Sequence, residues 1–195
     1  MARSNRLKIL ILSASTGGTK TKKITTTFYN LMKESYETEH DIRYLNIQDK
    51  KIQFSDGRNY LDYSGDTLEV ASAIMESDVI MFGAPIFQAS IPAALKNLFD
   101  LLPVRAFDRK VIGLIITGGS LRHYLVPETQ IKPIIHYMHG VIIPKYVYAI
   151  DTDFNTDGKV NDEIELRLQT LLDDTISISE TYKEVWNKQD DMFGF

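Results

Sequence analysis

The chain contains no cysteine. That absence removes disulfides, thiolate nucleophiles, cysteine-ligated zinc and iron–sulfur clusters from its chemistry. It also lacks any apolar run near the roughly 20 residues that a helix needs to span a bilayer. The start, MARSNRLKILILSAS, sets basic residues before an apolar stretch in the manner of a secretion signal. However, residues 7–12 are only one strand long, and TGGTKTKK follows where small residues would mark cleavage. The expectation is a cytoplasmic chain that opens on a strand and has no membrane partner. Positive charge is not in excess: the formal net charge of −4 argues against a general nucleic-acid surface. The 6 prolines and 11 glycines do not gather with serine into a linker, and no internal repeat is visible.

What is present is 195 residues with 44% hydrophobic content, enough for one domain over 1–195 with a substantial core. Apolar runs alternate with helix-period segments. Strands are expected at 7–12, 41–46, 79–83, 110–117 and, interrupted by Pro144, within 140–150. Helical stripes fall at Ile24, Phe28 and Leu31; at Leu68, Ala71 and Ile74, capped by Asp66; and at Leu95, Leu98, Phe99 and Leu102. Residues 121–138 read as a helix shifted or kinked by Pro127 and Pro133. Residues 160–187 read as a long final helix, and 47–65 as an irregular connection. Five βα units imply a mostly parallel sheet covered on both faces, and five strands suit the order 2-1-3-4-5.

In such a sheet, ligands bind beyond the carboxyl ends of the strands where their order reverses. Three loops fall there. The first, SASTGGTKTKKI, offers the hydroxyls of Ser13, Ser15, Thr16, Thr19 and Thr21, the start of a helix, and Lys20, Lys22 and Lys23. That set suits a terminal phosphate. Neither the GxxxxGK[ST] nor the GxGxxG spacing is present, so a monophosphate fits better than a nucleotide triphosphate or a dinucleotide. The second loop places Pro85, Ile86, Phe87 and Gln88 just past a buried strand. Phe87 is there either as core or as a flat face for a heterocycle, with Gln88 supplying an amide. The third, TGGSLRHY, has Thr117, then Gly118 and Gly119 for close backbone approach and N–H donation. Arg122 and His123 follow, either as solvated groups or as ligand contacts. His136 and His139 are i, i+3 neighbours with no evident carboxylate partner, so no metal site is expected.

At these loops the sequence resembles the NADPH-dependent FMN reductase family of flavodoxin-like proteins. The segment Pro85, Phe87, Ser90, Pro92, Leu95, Lys96, Asn97 and Asp100 is similar to the family pattern P-x-Y/F-x-x-S-x-P-x-x-L-K-N-x-x-D. The third loop looks like that of FMN reductases from two-component sulfonate systems. The phosphate loop departs from the family, with Ser15 where arginine is common. The resemblance implies a flavodoxin-like three-layer α/β sandwich, with a five-stranded parallel sheet of order 2-1-3-4-5. It implies that Ser13, Thr19 and Thr21 contact an FMN phosphate, with a lysine in place of the arginine charge; the loop's own composition adds Ser15, Lys20 and Lys22 to that site. Pro85, Ile86, Phe87 and Gln88 would then line the isoalloxazine, with Thr117, Gly118 and Gly119 on its other edge. From their place in the loop, Arg122 and His123 would meet the nicotinamide nucleotide phosphate or the incoming acceptor, with His123 the candidate for a protonation or orientation role. No other catalytic residue is assigned, because the hard chemistry belongs to the flavin. NADPH or NADH would donate a hydride, a small-molecule electron acceptor would receive the reducing equivalents, and the assembly would be a homodimer or homotetramer. Thr129 stands where some relatives carry a tyrosine, which favours FMN retained as a prosthetic group. The competing reading is a flavodoxin-type electron carrier that does not itself oxidise NAD(P)H. A receiver-like regulatory domain would need acidic residues after the first strand, and Ser13 to Thr16 supply none.

Overall fold

The computed structural model describes residues 6–193, so Arg3 at the start lies outside it. Six parallel strand segments form one sheet: β1 (Lys8–Ser13), β2 (Asp41–Asn46), β3 (Val79–Pro85), β4 (Val111–Thr117), β5 (Val141–Ile142) and β6 (Val147–Ala149). Their order is β2-β1-β3-β4-β5, with β6 also pairing to β4. The last two are successive halves of one edge strand. Val111 and Ile112 register with Val141 and Ile142, and Ile115 to Thr117 register with Val147 to Ala149. Pro144 lies in the gap, where its missing N–H costs no ladder bond.

Strands β3 and β4 are buried along their whole length. Buried parallel strands carry apolar side chains on both faces, which accounts for their unbroken runs in the sequence. Leu10, Leu12, Ile80 and Phe82 face one layer, and Ile9, Ile11, Val79 and Met81 the other. The first layer holds α2 (Gly65–Glu76), α3 (Ala93–Asp100) and α4 (Lys132–Tyr137). There Phe82, Phe99 and Phe107 meet edge to face with centroids 5.4 to 6.0 Å apart. The second layer holds α1 (Lys20–Tyr36) and α5 (Asp162–Phe193), through Ile24, Phe28, Met32, Leu168 and Leu172. Met32, rather than the half-buried Leu31, completes the buried stripe of α1.

Two local expectations are corrected. Ser64, not Asp66, is the N-cap of α2; the Asp66 carboxylate instead accepts from the Lys51 N–H at 2.8 Å. The segment after β4 is not one kinked helix. It runs through a 3-10 turn (Leu121–His123), a π turn (Pro127–Ile131) and then α4. Pro133 cannot donate to Thr129, and its ring would crowd that carbonyl in a regular helix. The wider turn, closed by Lys132 N–H to Pro127 O, relieves that crowding. The Thr129 hydroxyl donates back to Leu125 O at 3.1 Å. No helix among the described residues is long and apolar enough to cross a membrane.

Candidate flavin site

Strand β1 sits between β2 and β3, so the order reverses there and a crevice opens beyond the carboxyl ends. A cleft of about 350 Å³ occupies this place, within the range for small-molecule sites. All three loops contribute to it: Gly17 to Thr21 from the first, Pro85, Ile86 and Phe87 from the second, and Thr117 to Gly119 from the third. Of the loop residues singled out from sequence, Ser13, Ser15, Thr16, Lys22, Lys23, Gln88, Arg122 and His123 do not line it.

The first loop is built by its own side chains. The Ser15 hydroxyl donates to Gly17 O at 2.6 Å, folding the chain back, and Gly18 adopts φ +76°, a conformation that suits glycine. Helix α1 then begins with no side-chain cap from Thr19, and its first-turn N–H groups have no acceptor within the helix. At the end of β1, Ser13 is fully buried and carries a hydroxyl without a hydrogen-bond partner. Its lateral neighbour on β2, Asn46, has a side-chain oxygen in the same condition. The Thr21 hydroxyl shares a buried 2.7 Å hydrogen bond with that of Thr117, tying the first loop to the third.

The positive charge expected here is largely matched. Lys20 Nζ lies 2.5 Å from the Asp151 carboxylate, and Lys22 Nζ lies 3.5 Å from that of Asp49. The Asp49 carboxyl is held below its ordinary range, first by a hydrogen bond from Asn46 and then by Lys22. Lys23 reaches to Gly158, where its ammonium fills the space that a side chain would take.

The second loop closes as a two-residue turn. Phe87 and Ser90 exchange backbone hydrogen bonds of 3.0 and 2.9 Å, while Gln88 (φ 49°) and Ala89 (φ 58°) both adopt left-handed conformations. Residues with a Cβ lose roughly 1–2 kcal/mol each in that region. The turn leaves Phe87 44% exposed, which makes it a presented face rather than core. Ser90 is braced by donation to Gln130 Oε1 at 2.6 Å. Farther along the motif, Asn97 is not a surface group. It is buried, donates to Gln53 O and accepts from Ser55 N–H, and so fastens the 47–65 connection beside the cleft.

In the third loop one of the two glycine N–H groups is spent within the protein. Gly118 N–H donates to Ala149 O at 2.9 Å, while Gly119 has open space around it. Gly118 is required for another reason: a Cβ there would stand 2.1 Å from the Tyr148 hydroxyl, which donates to Ser120 O. Arg122 is exposed and His123 half-buried on the 3-10 turn that follows. Asp151, two residues past the end of β6, lines the cleft and was not anticipated. The rule that ligands sit past strand ends would have pointed to it, had the end of the broken fifth strand been placed.

The family model described as NADPH-dependent FMN reductase matches residues 7–155. An NAD(P)H-dependent FAD/FMN reductase from Geobacillus thermodenitrificans is 40% identical over 134 residues, covering 68% of this chain and 72% of that one. The NADH-dependent FMN reductase SfnF of Pseudomonas fluorescens is 34% identical over 97 residues, 50% of this chain and 52% of its own. Among solved structures, the apo form of the NADH:FMN oxidoreductase EMOB superposes with a TM-score of 0.72 at 22% identity, covering 88% of this chain and 89% of that one. A cleft at the switch point of a flavodoxin-like sheet, matched over most of the chain by reductases, leads to one conclusion: this chain belongs to the NADPH-dependent FMN reductase family and is an NAD(P)H-dependent FMN oxidoreductase.

Proposed function

We propose that residues 1–195 act as a single FMN-binding domain whose three loops hold the flavin at the switch-point cleft. The observation that carries this reading is the meeting of the three loops at the uncapped start of α1, with a partnerless buried hydroxyl at Ser13, where the first loop leaves β1. A buried hydroxyl without a partner costs free energy, and a phosphate oxygen would satisfy it. Thr19, Lys20 and Thr21, with the first-turn N–H groups, complete the phosphate cradle, and Ser15 and Lys22 shape it from outside the cleft. Pro85, Ile86 and Phe87 flank one edge of the ring system, with Gln88 at the rim. Thr117, Gly118 and Gly119 flank the other edge. The Gly119 N–H is the donor placed to stabilise negative charge there.

The chemistry that bound FMN supplies is acceptance of a hydride from NAD(P)H and its onward delivery as two electrons to a small oxidant. The chain positions the partners for that exchange. An apolar recess of about 330 Å³, lined by Ile47, Ile52, Phe54 and Pro92, shares Phe87 with the cleft and gives a planar acceptor a place beside the flavin. Arg122 and His123 stand on the lip of the third loop, where an anionic nucleotide would pass. Acceptors of this kind include free flavin, a quinone or an azo compound. Phe54, 80% exposed beside the recess, supports an assembly of two or four copies that covers it. A cytoplasmic location, where NADPH and NADH are available, fits this activity.

The decisive experiment is spectroscopic. The purified protein loaded with FMN should show flavin bands that bleach when NADPH or NADH is added without oxygen, and that return with an acceptor. A protein that takes up no FMN would overturn the site. One that binds FMN but is not reduced by either nucleotide would restore the electron-carrier reading.

A further inference from the structure

We infer that Asp151 is an affinity-determining residue of the flavin site, a carboxylate that competes with the FMN phosphate for Lys20; the inference rests on the phosphate-site reading above. Asp151 reaches the cleft from the far end of the chain, and its carboxylate meets Lys20 Nζ at 2.5 Å, at the first residue of α1. Its position is fixed by the fold. The 3-10 turn Asp151–Asp153 is locked by Asp153, whose carboxylate accepts from Ile150 N–H at 2.8 Å and whose N–H donates to Ile150 O at 3.0 Å. Lys20 is held from a second side by the Phe154 ring, 6.0 Å from its ammonium.

The other loop cations do not compensate. Lys22 is matched by Asp49, and Lys23 is turned away to Gly158. A phosphate dianion therefore enters a loop whose nearest cation already has a carboxylate partner, and whose family arginine is replaced by Ser15. Both side chains of the Lys20–Asp151 pair are substantially exposed, at 43% and 63%, so the pair opens in exchange for phosphate rather than blocking it. The negative charge of Asp151 then remains beside the phosphate and weakens the grip on it. The consequence is an FMN that exchanges with solution, contrary to the retention expected from Thr129.

The test uses full-length protein stripped of flavin, titrated with FMN and with riboflavin while flavin fluorescence is followed. D151N should lower the Kd for FMN by about tenfold at low salt and leave that for riboflavin unchanged, since riboflavin has no phosphate. In a Lys20→Met background the same substitution should improve FMN affinity by only about threefold, because the contested cation is gone and only the direct repulsion between Asp151 and the phosphate is relieved. An unchanged FMN Kd in D151N overturns the inference while the flavin site stands. Equal weakening of FMN and riboflavin also overturns it, by making Asp151 an acceptor for ribityl hydroxyls. If neither flavin binds to wild type or variant, the site reading fails and takes the inference with it.

Discussion

Ser13 shows how a single side chain can be neutral for folding and decisive for binding. Its hydroxyl is buried and makes no hydrogen bond within the protein, so Ser13→Ala removes no hydrogen bond. Such a change should leave the melting temperature of the flavin-free protein unchanged or slightly raised. If the hydroxyl meets the phosphate, the same variant should bind FMN about tenfold more weakly, the size of a lost hydrogen bond to a charged group. Calorimetry and fluorescence titration on one preparation would check both halves. Serine at a strand end followed by a glycine-bearing turn is a signal visible in the sequence. That Gly118 spends its N–H on Ala149 is not, because the acceptor lies on a strand that begins nearly thirty residues later. Asp151 was hidden for the same reason, since its relation to Lys20 exists only once the fifth strand has docked.

The elements themselves were legible where periodicity and burial agree. Strands β1, β3 and β4 are continuous apolar runs because both faces are covered, and α1 and α3 carry stripes at helical spacing. Local backbone adjustment was not legible: the π turn at Pro127–Ile131 answers a clash that depends on where the helix lies. The approach of α1 to β3 is similar, for a Cβ on Gly83 would stand 2.1 Å from Thr25 Cγ2. Gly83→Ala should therefore cost about 1–3 kcal/mol by overpacking. Adding Thr25→Ser should recover most of that loss, because it removes the methyl and keeps the hydroxyl that donates to Thr21 O. Denaturant titration of the two single variants and the double would expose the coupling. At the far end of α2, Lys110 donates to Met75 O and Ser77 O, satisfying carbonyls at a negative helix terminus. Burial pushes its ammonium below the ordinary lysine value of 10.5. The unfolded chain therefore holds a proton that the folded chain releases first, and stability from this group rises with pH between the depressed value and the ordinary one. Lys110→Met should lose about 1–3 kcal/mol at neutral pH and lack that alkaline rise, so its deficit against wild type should widen toward high pH.

For the molecule as a whole, the proposed flavin cleft draws together parts of the chain more than a hundred residues apart. Binding only to the folded form must raise the melting temperature with FMN concentration, by about 2.7 kcal/mol of stability at a hundredfold excess over Kd. Riboflavin, without a phosphate to meet the start of α1, should give a smaller shift at equal concentration, and scanning calorimetry would compare the two. The switch point was predictable because strand order follows from counting βα units. The acceptor was not, because the recess beside Phe87 is assembled from the 47–65 connection, which has no periodicity to read. The split of the last strand has a consequence of its own. On that margin the sheet offers only two short segments, Val141–Ile142 and Val147–Ala149, separated by a proline. A neighbouring chain seeking to extend the ladder would find no continuous row of amides to join, so this border resists edge-to-edge aggregation even in a form caught without its flavin.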